Sequence, residues 1–219
     1  IPHPSRHEKK ISDFIVNFAR ERGLKWKQDE VWNVIVEKPA SAGYENAAPL
    51  ILQAHIDMVP AKVEGSTHNF ETDPLKLYVD EEGWLHAEGT TLGGDDGHGV
   101  AYMLAVLDDD ELPHPPLQCF FTTMEEIGLL GSVEIKPEDV HADRMINLDG
   151  GGETTTGISA AGGCNVYIHK DIEWVSNEKP TYRLDITGLT GGHSGGQIHL
   201  EKGNAIVIAA RVIEEAIAA

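Results

Sequence analysis

Apolar residues recur along this chain in short bursts that switch between two periods. Ile11, Phe14, Ile15, Phe18 and Ala19 lie three and four apart, the spacing of one helix face, and Ser5-Arg6-His7-Glu8 ahead of them has the S-x-x-E form of a capping box. This pattern predicts a helix that ends near Gly23. Residues 31–37 and 49–54 then read as strands joined by the loop 39–48, and 75–86 as a short hairpin turning at Glu81-Glu82-Gly83. A helix is predicted over 97–109, a strand at 119–123, short helices at 128–133 and 137–140, and a last short strand at 145–148. Strands alternating with helices predict an α/β domain whose central sheet, mostly parallel or mixed, is flanked by helices.

The pattern changes after residue 163. Residues 165–170 and 182–187 read as strands around a polar loop, followed by the glycine-rich turn 191–196 and a helix from 204 to 219. We therefore expect a domain boundary at 163/164, with 1–163 the first domain and 164–219 the opening part of a second, α+β domain. The chain stops inside an alanine-rich helix with no C-cap glycine, so the expected reading is a truncated protein.

Composition narrows the partners. The 219 residues are 41% hydrophobic and carry a formal net charge of −19. That charge argues against a nucleic-acid partner, which needs a basic surface, and against an anionic membrane. No run approaches the ~20 apolar residues of a membrane-spanning helix. Cys119 and Cys164 both lie in strand-like apolar contexts and read as buried free thiols, which fit a reducing cytoplasm.

The chemistry collects where strand-like runs end. The run 49–54 delivers His55 and Asp57, two residues apart and hence on one face of an extended chain. Imidazole is a common metal ligand, and a carboxylate on its other nitrogen fixes tautomer and orientation. In Gly93-Gly94-Asp95-Asp96-Gly97-His98-Gly99 two aspartates sit in a tight loop at a helix start, where negative charge is favoured; an ordinary aspartate cap reads the same way. The strand at 119–123 runs into Glu125-Glu126, whose neighbouring side chains leave an extended backbone in opposite directions, so one would bind metal and the other handle protons. Met145-Ile146-Asn147-Leu148-Asp149-Gly150-Gly151 is a further strand ending in an acid. Each motif alone is weak, since a surface turn or a solvated acidic pair would look alike. Four strand-like runs end in His, Asp or Glu or run into a loop carrying them, and together they point to a metal site in the crevice where an open α/β sheet binds ligands.

These same residues carry a family resemblance. The order H-x-D-M-V, G-G-D-D-G-x-G, E-E-x-G and L-D-G resembles the M20 co-catalytic zinc peptidases, and within them the Xaa-His dipeptidase branch. Further support comes from Ala42-Gly43-Tyr44-Glu45-Asn46-Ala47, Ser159-Ala160-Ala161-Gly162-Gly163 and Gly188-Leu189-Thr190-Gly191-Gly192-His193-Ser194-Gly195-Gly196. Ala54 departs from the glycine expected before the metal histidine. The resemblance implies two divalent cations, zinc being expected and manganese or cobalt the alternatives, with Asp95 shared between them. His55 and Asp149 would complete one metal, while Glu126 and a histidine beyond Ala219 would complete the other. It implies Asp57 behind His55, Glu125 as general base, and hydrolysis of dipeptides such as carnosine-like Xaa-His. It also implies that 164–219 opens a lid through which the protein forms a homodimer, with His193 reaching a partner's active site to stabilise the tetrahedral intermediate. A related tripeptidase, aminopeptidase or N-acyl amino acid deacylase is the nearest alternative, and a non-catalytic metal-binding or dimerisation fragment the more distant one. Among the remaining histidines, His98 reads as a solvent-facing residue at a helix start.

Overall fold

The computed structural model describes residues 1–152, 154–160, 162, 166–193 and 197–218. Cys164, the start of the strand expected at 165–170, and residues 194–196 of the glycine-rich turn lie outside the described residues. The chain divides into two compact units, Ile1–Glu153 and Thr154–Ala219.

The first unit opens with helix α1 (Lys9–Glu21), followed by strands β1 (Lys25–Gln28), β2 (Val34–Lys38) and β3 (Leu50–His55). A hairpin of β4 (Leu77–Val79) and β5 (Leu85–Ala87) precedes helix α2 (Gly94–Asp108), and β6 (Leu117–Thr122) and β7 (Met145–Asn147) complete the sheet. Its order is β1-β2-β6-β3-β7. β3 runs parallel to both β6 and β7, whereas the β1–β2 and β2–β6 pairs are antiparallel. The sheet is thus mixed, with three parallel strands on one side.

Side-chain alternation sorts the two faces of the sheet. Val34 and Val36 of β2, Leu52 and Ala54 of β3, and Cys119 and Phe121 of β6 point to one face, where they meet Ile15, Val16 and Ala19 of α1 and Val100, Met103 and Leu107 of α2. Ile35, Ile51 and Phe120 point to the other, against Ile135 and Ala142 of the β6–β7 connection. β6 is buried along its whole length, as a strand between two covered faces should be. Burial pushes the free Cys119 thiol up to about 12, so it packs as a small inert hydrophobe.

Local chemistry moved several predicted boundaries. The strand expected from residue 31 begins at Val34, because Asp29 accepts hydrogen bonds from the backbone of Val31 (3.0 Å) and Asn33 (2.8 Å) and holds a turn there. β1 was not anticipated, since its K-W-K-Q sequence has no apolar alternation. The capping box does not form: Glu8 is the N-cap of α1 without a side-chain cap bond, and both Ser5 and Glu8 bond elsewhere. In the second unit, the described parts of 165–170 and 182–187 are irregular and, apart from the half-buried Ile186, exposed. Apolar alternation does not make a strand without a neighbour to complete its ladder. Among its described residues the regular elements are a 3-10 turn, Ile198–Leu200, and helix α3 (Ala205–Ala218). Asn204 starts α3 by accepting from the N–H groups of Ile206 (3.0 Å) and Val207 (3.1 Å), an N-cap in the ordinary sense.

Candidate metal centre

The three parallel strands end at one edge of the sheet. His55 is the last residue of β3, Glu125 and Glu126 follow β6, and Asp149 follows β7. The N-terminal turn of α2 adds Asp95 and Asp96, both in non-helical conformations. Two glycines make this turn possible. Gly93 sits at φ +72, and a β-carbon there would lie 3.1 Å from both Met58 Sδ and His3 Nε2. A β-carbon on Gly99 would lie 2.5 Å from Asp96 Oδ1, so its absence lets the Asp96 carboxyl fold back beneath the helix start.

His55 is buried at the centre of the cluster. Its Nδ1 lies 3.0 Å from the Asp57 carbonyl oxygen and 3.3 Å from Asp57 Oδ1. This leaves Nε2 facing Asp95 Oδ1 (3.0 Å), Glu125 Oε2 (3.9 Å) and Asp149 Oδ2 (4.0 Å). Burial alone would lower the pKa of His55, yet hydrogen bonding to Asp57 and Asp95 raises it to about 10. The acids that face Nε2 thus favour positive charge at this position.

Asp57 does more than orient that ring. Its Oδ1 accepts from the Glu125 N–H (3.0 Å), and its Oδ2 from the Glu126 N–H (3.3 Å) and the Ser5 hydroxyl (2.7 Å). Burial pushes its pKa up, but bonds to His55, Ser5 and the Glu125 backbone outweigh burial and hold it below the usual carboxylate range. One ionised group therefore fixes both the histidine and the backbone of the glutamate pair.

Four acids around it are shifted the opposite way. Burial raises the pKa of Glu125, Glu126 and Asp149, and neighbouring carboxylates add to it: chiefly Asp149 for Glu125, and Asp95 for the other two. Asp96 is fully buried and raised to about 6, by burial first and Asp149 second. Its Oδ1 accepts from the Gly99 N–H (3.2 Å), while its Oδ2 has no protein partner. Like charges crowded in a partly buried site favour protonation or a bound cation.

Divalent cations fit this donor set. The ligand atoms of His55, Asp95 and Glu126 lie within 4.8 Å of one another, and so do those of His55, Glu125 and Asp149. Imidazole with carboxylates suits zinc, and also manganese or cobalt. The four ligand candidates named from the sequence come together here with Asp57, and Glu125 stands inside the cluster as part of the second triad. His193, by contrast, belongs to the second unit, where it is exposed. His98 is half-exposed at the helix start, its Nδ1 2.7 Å from the Gly94 carbonyl oxygen. Sequence reasoning missed Ser5, Glu8 and the buried Asp96. The S-x-x-E spacing was visible, but it also describes a helix cap.

Residues 51–215 match the model of peptidase family M20/M25/M40, and the chain belongs to that family. It is 44% identical over 207 residues to the cytosol non-specific dipeptidase of Escherichia coli K12, covering 94% of this chain and 42% of that protein. Its fold is similar to the crystal structure of aminoacylhistidine dipeptidase from Vibrio alginolyticus, with a TM-score of 0.68 and 34% identity over 97% of this chain and 44% of the other. A tripeptidase from Staphylococcus aureus matches with a TM-score of 0.58 and 27% identity, over 69% of this chain and 40% of the other. The chain thus spans about two fifths of the length of the relatives it matches. Among the described residues, no helix is long and apolar enough to cross a membrane.

Proposed function

We propose that the protein hydrolyses unblocked dipeptides, Xaa-His and carnosine-like substrates among them, and that the cluster around His55 is its catalytic metal centre. The observation that carries this is the pair of triads sharing His55 at the ends of three parallel strands, with Glu125 and Glu126 tied through their backbone to one buried aspartate. His55, Asp95, Glu126 and Asp149 would hold two divalent cations, with Asp95 shared. When bound, such ions polarise a peptide carbonyl and make water acidic enough to deprotonate near neutral pH.

The residues divide the remaining work. Glu125, whose pKa is raised chiefly by burial, takes a proton from the attacking water and returns it to the leaving amine. Asp57 holds His55 in one tautomer and fixes the distance between the base and the ligands. His193, in the proposed lid, would stabilise the tetrahedral intermediate in a partner subunit, which makes the working protein a homodimer. The Escherichia coli relative is named a cytosol dipeptidase, and we assign the same compartment here.

The test uses the full-length protein loaded with zinc, manganese or cobalt, assayed on dipeptides, tripeptides and N-acetyl amino acids. Dipeptides should turn over fastest, and a chelator should abolish the activity. Faster turnover of the acetylated set would make the protein a deacylase instead.

A further inference from the structure

Ser5 and Glu8 look like a helix cap in the sequence, but neither side chain caps α1. The Ser5 hydroxyl donates to Asp57 Oδ2 at 2.7 Å. Glu8 is fully buried, and its Oε1 accepts from the N–H of Met124 at 3.0 Å, the residue just before the glutamate pair. The backbone reinforces this contact: Pro4 bridges to Met58, and the Met58 N–H donates to the His3 carbonyl oxygen at 3.2 Å. The N-terminal turn is therefore bonded both to the chain that follows β3 and to the loop that follows β6.

Two features argue that this arrangement is more than packing. Burying a carboxyl is unfavourable unless its oxygens are bonded, and Glu8 Oε2 has no protein partner; an exposed cap residue would serve the helix equally well. Met124 sits at φ +53, a conformation that persists only where its surroundings over-determine it. Glu8 holds the amide of that residue.

We propose that Ser5 and Glu8 are positioning residues for the catalytic reaction, fixing the Glu125–Glu126 backbone against His55 and Asp57. This inference rests on the function proposed above. It is tested in the full-length protein with Glu8→Ala, Glu8→Gln and Ser5→Ala, by amide hydrogen exchange without metal and by steady-state kinetics with metal.

In Glu8→Ala, exchange at residues 124–126 should rise about 10- to 100-fold while β2, β3 and β6 stay protected. Its kcat should fall about tenfold with KM within about twofold. Glu8→Gln keeps an acceptor for the Met124 N–H and should restore most of both. Ser5→Ala, a milder change that decides the matter should Glu8→Ala not fold, should raise exchange at 125–126 and lower kcat by about threefold. Unchanged exchange in these variants, a uniform rise across the sheet, or a local rise without loss of kcat in an active wild type would overturn the proposal. A wild type inactive on every dipeptide would defeat the functional reading instead, and local exchange alone would then decide whether Ser5 and Glu8 hold the 124–126 backbone.

Discussion

Replacing Asp57 by Asn tests how much of the site depends on one carboxylate. The side chain keeps its volume, but one acceptor becomes an NH2 donor. If that NH2 takes the Oδ1 position, it faces the Glu125 N–H and the His55 ring; at Oδ2 it faces the Glu126 N–H and the Ser5 hydroxyl. The hydroxyl can rotate to accept, so the second orientation is preferred and leaves the Glu126 N–H without an acceptor. An unpaired buried donor costs about 1–3 kcal/mol. The remaining bonds lose their charge assistance, which adds about 1 kcal/mol. We expect Asp57→Asn to destabilise the metal-free protein by about 2–4 kcal/mol in urea unfolding at pH 7 and to weaken zinc binding about 10- to 100-fold in a chelator competition. The pH dependence follows from the lowered pKa of Asp57. Its stabilisation is present above the unfolded value of ~3.9 and is lost as pH falls through the lower folded value, so wild type and variant should converge in acid. An unchanged unfolding midpoint together with zinc affinity within about twofold would refute the reasoning.

Two further changes probe the α2 turn. Gly99→Ala would set a β-carbon 2.5 Å from Asp96 Oδ1, and should cost about 1–3 kcal/mol in thermal or urea unfolding; a neutral result would mean that the turn yields freely. Asp96 in the metal-free fold titrates at about 6 against an ordinary 3.8, so its contribution to stability is full below ~3.9 and is lost as pH rises through about 6. Asp96→Asn stays neutral, so its stability relative to wild type should grow by up to ~3 kcal/mol between pH 4 and 7; parallel pH profiles would contradict the assignment.

How much the sequence revealed depended on whether local pattern and tertiary demand coincided. β3, β6 and α2 were legible because their apolar runs are also what a sheet covered on two faces requires. The site was legible as strand ends bearing acids, since parallel strands bring their ends to one edge whatever lies between them. β1 was hidden because an exposed edge strand needs no apolar face. The apolar alternation at 182–187 misled for the converse reason: pattern supplies a face but not a pairing partner. Ser5 and Glu8 showed a helix-capping spacing, yet their bonds run to Asp57 and Met124, far away in the chain. The backbone role of Asp57 was likewise invisible, because no side-chain motif reports which amides a carboxylate accepts.

Two adjacent glutamates are proposed to do different work, and paired substitutions in the full-length protein test this most directly. Glu125→Gln and Glu126→Gln are compared for bound metal by elemental analysis and for turnover of a dipeptide. We expect Glu125→Gln to keep its metal while turnover falls about 10²- to 10⁴-fold, and Glu126→Gln to lose metal, with activity partly restored by excess zinc. Loss of metal in Glu125→Gln with retention in Glu126→Gln would reverse the two roles, and unchanged turnover in both would contradict the mechanism.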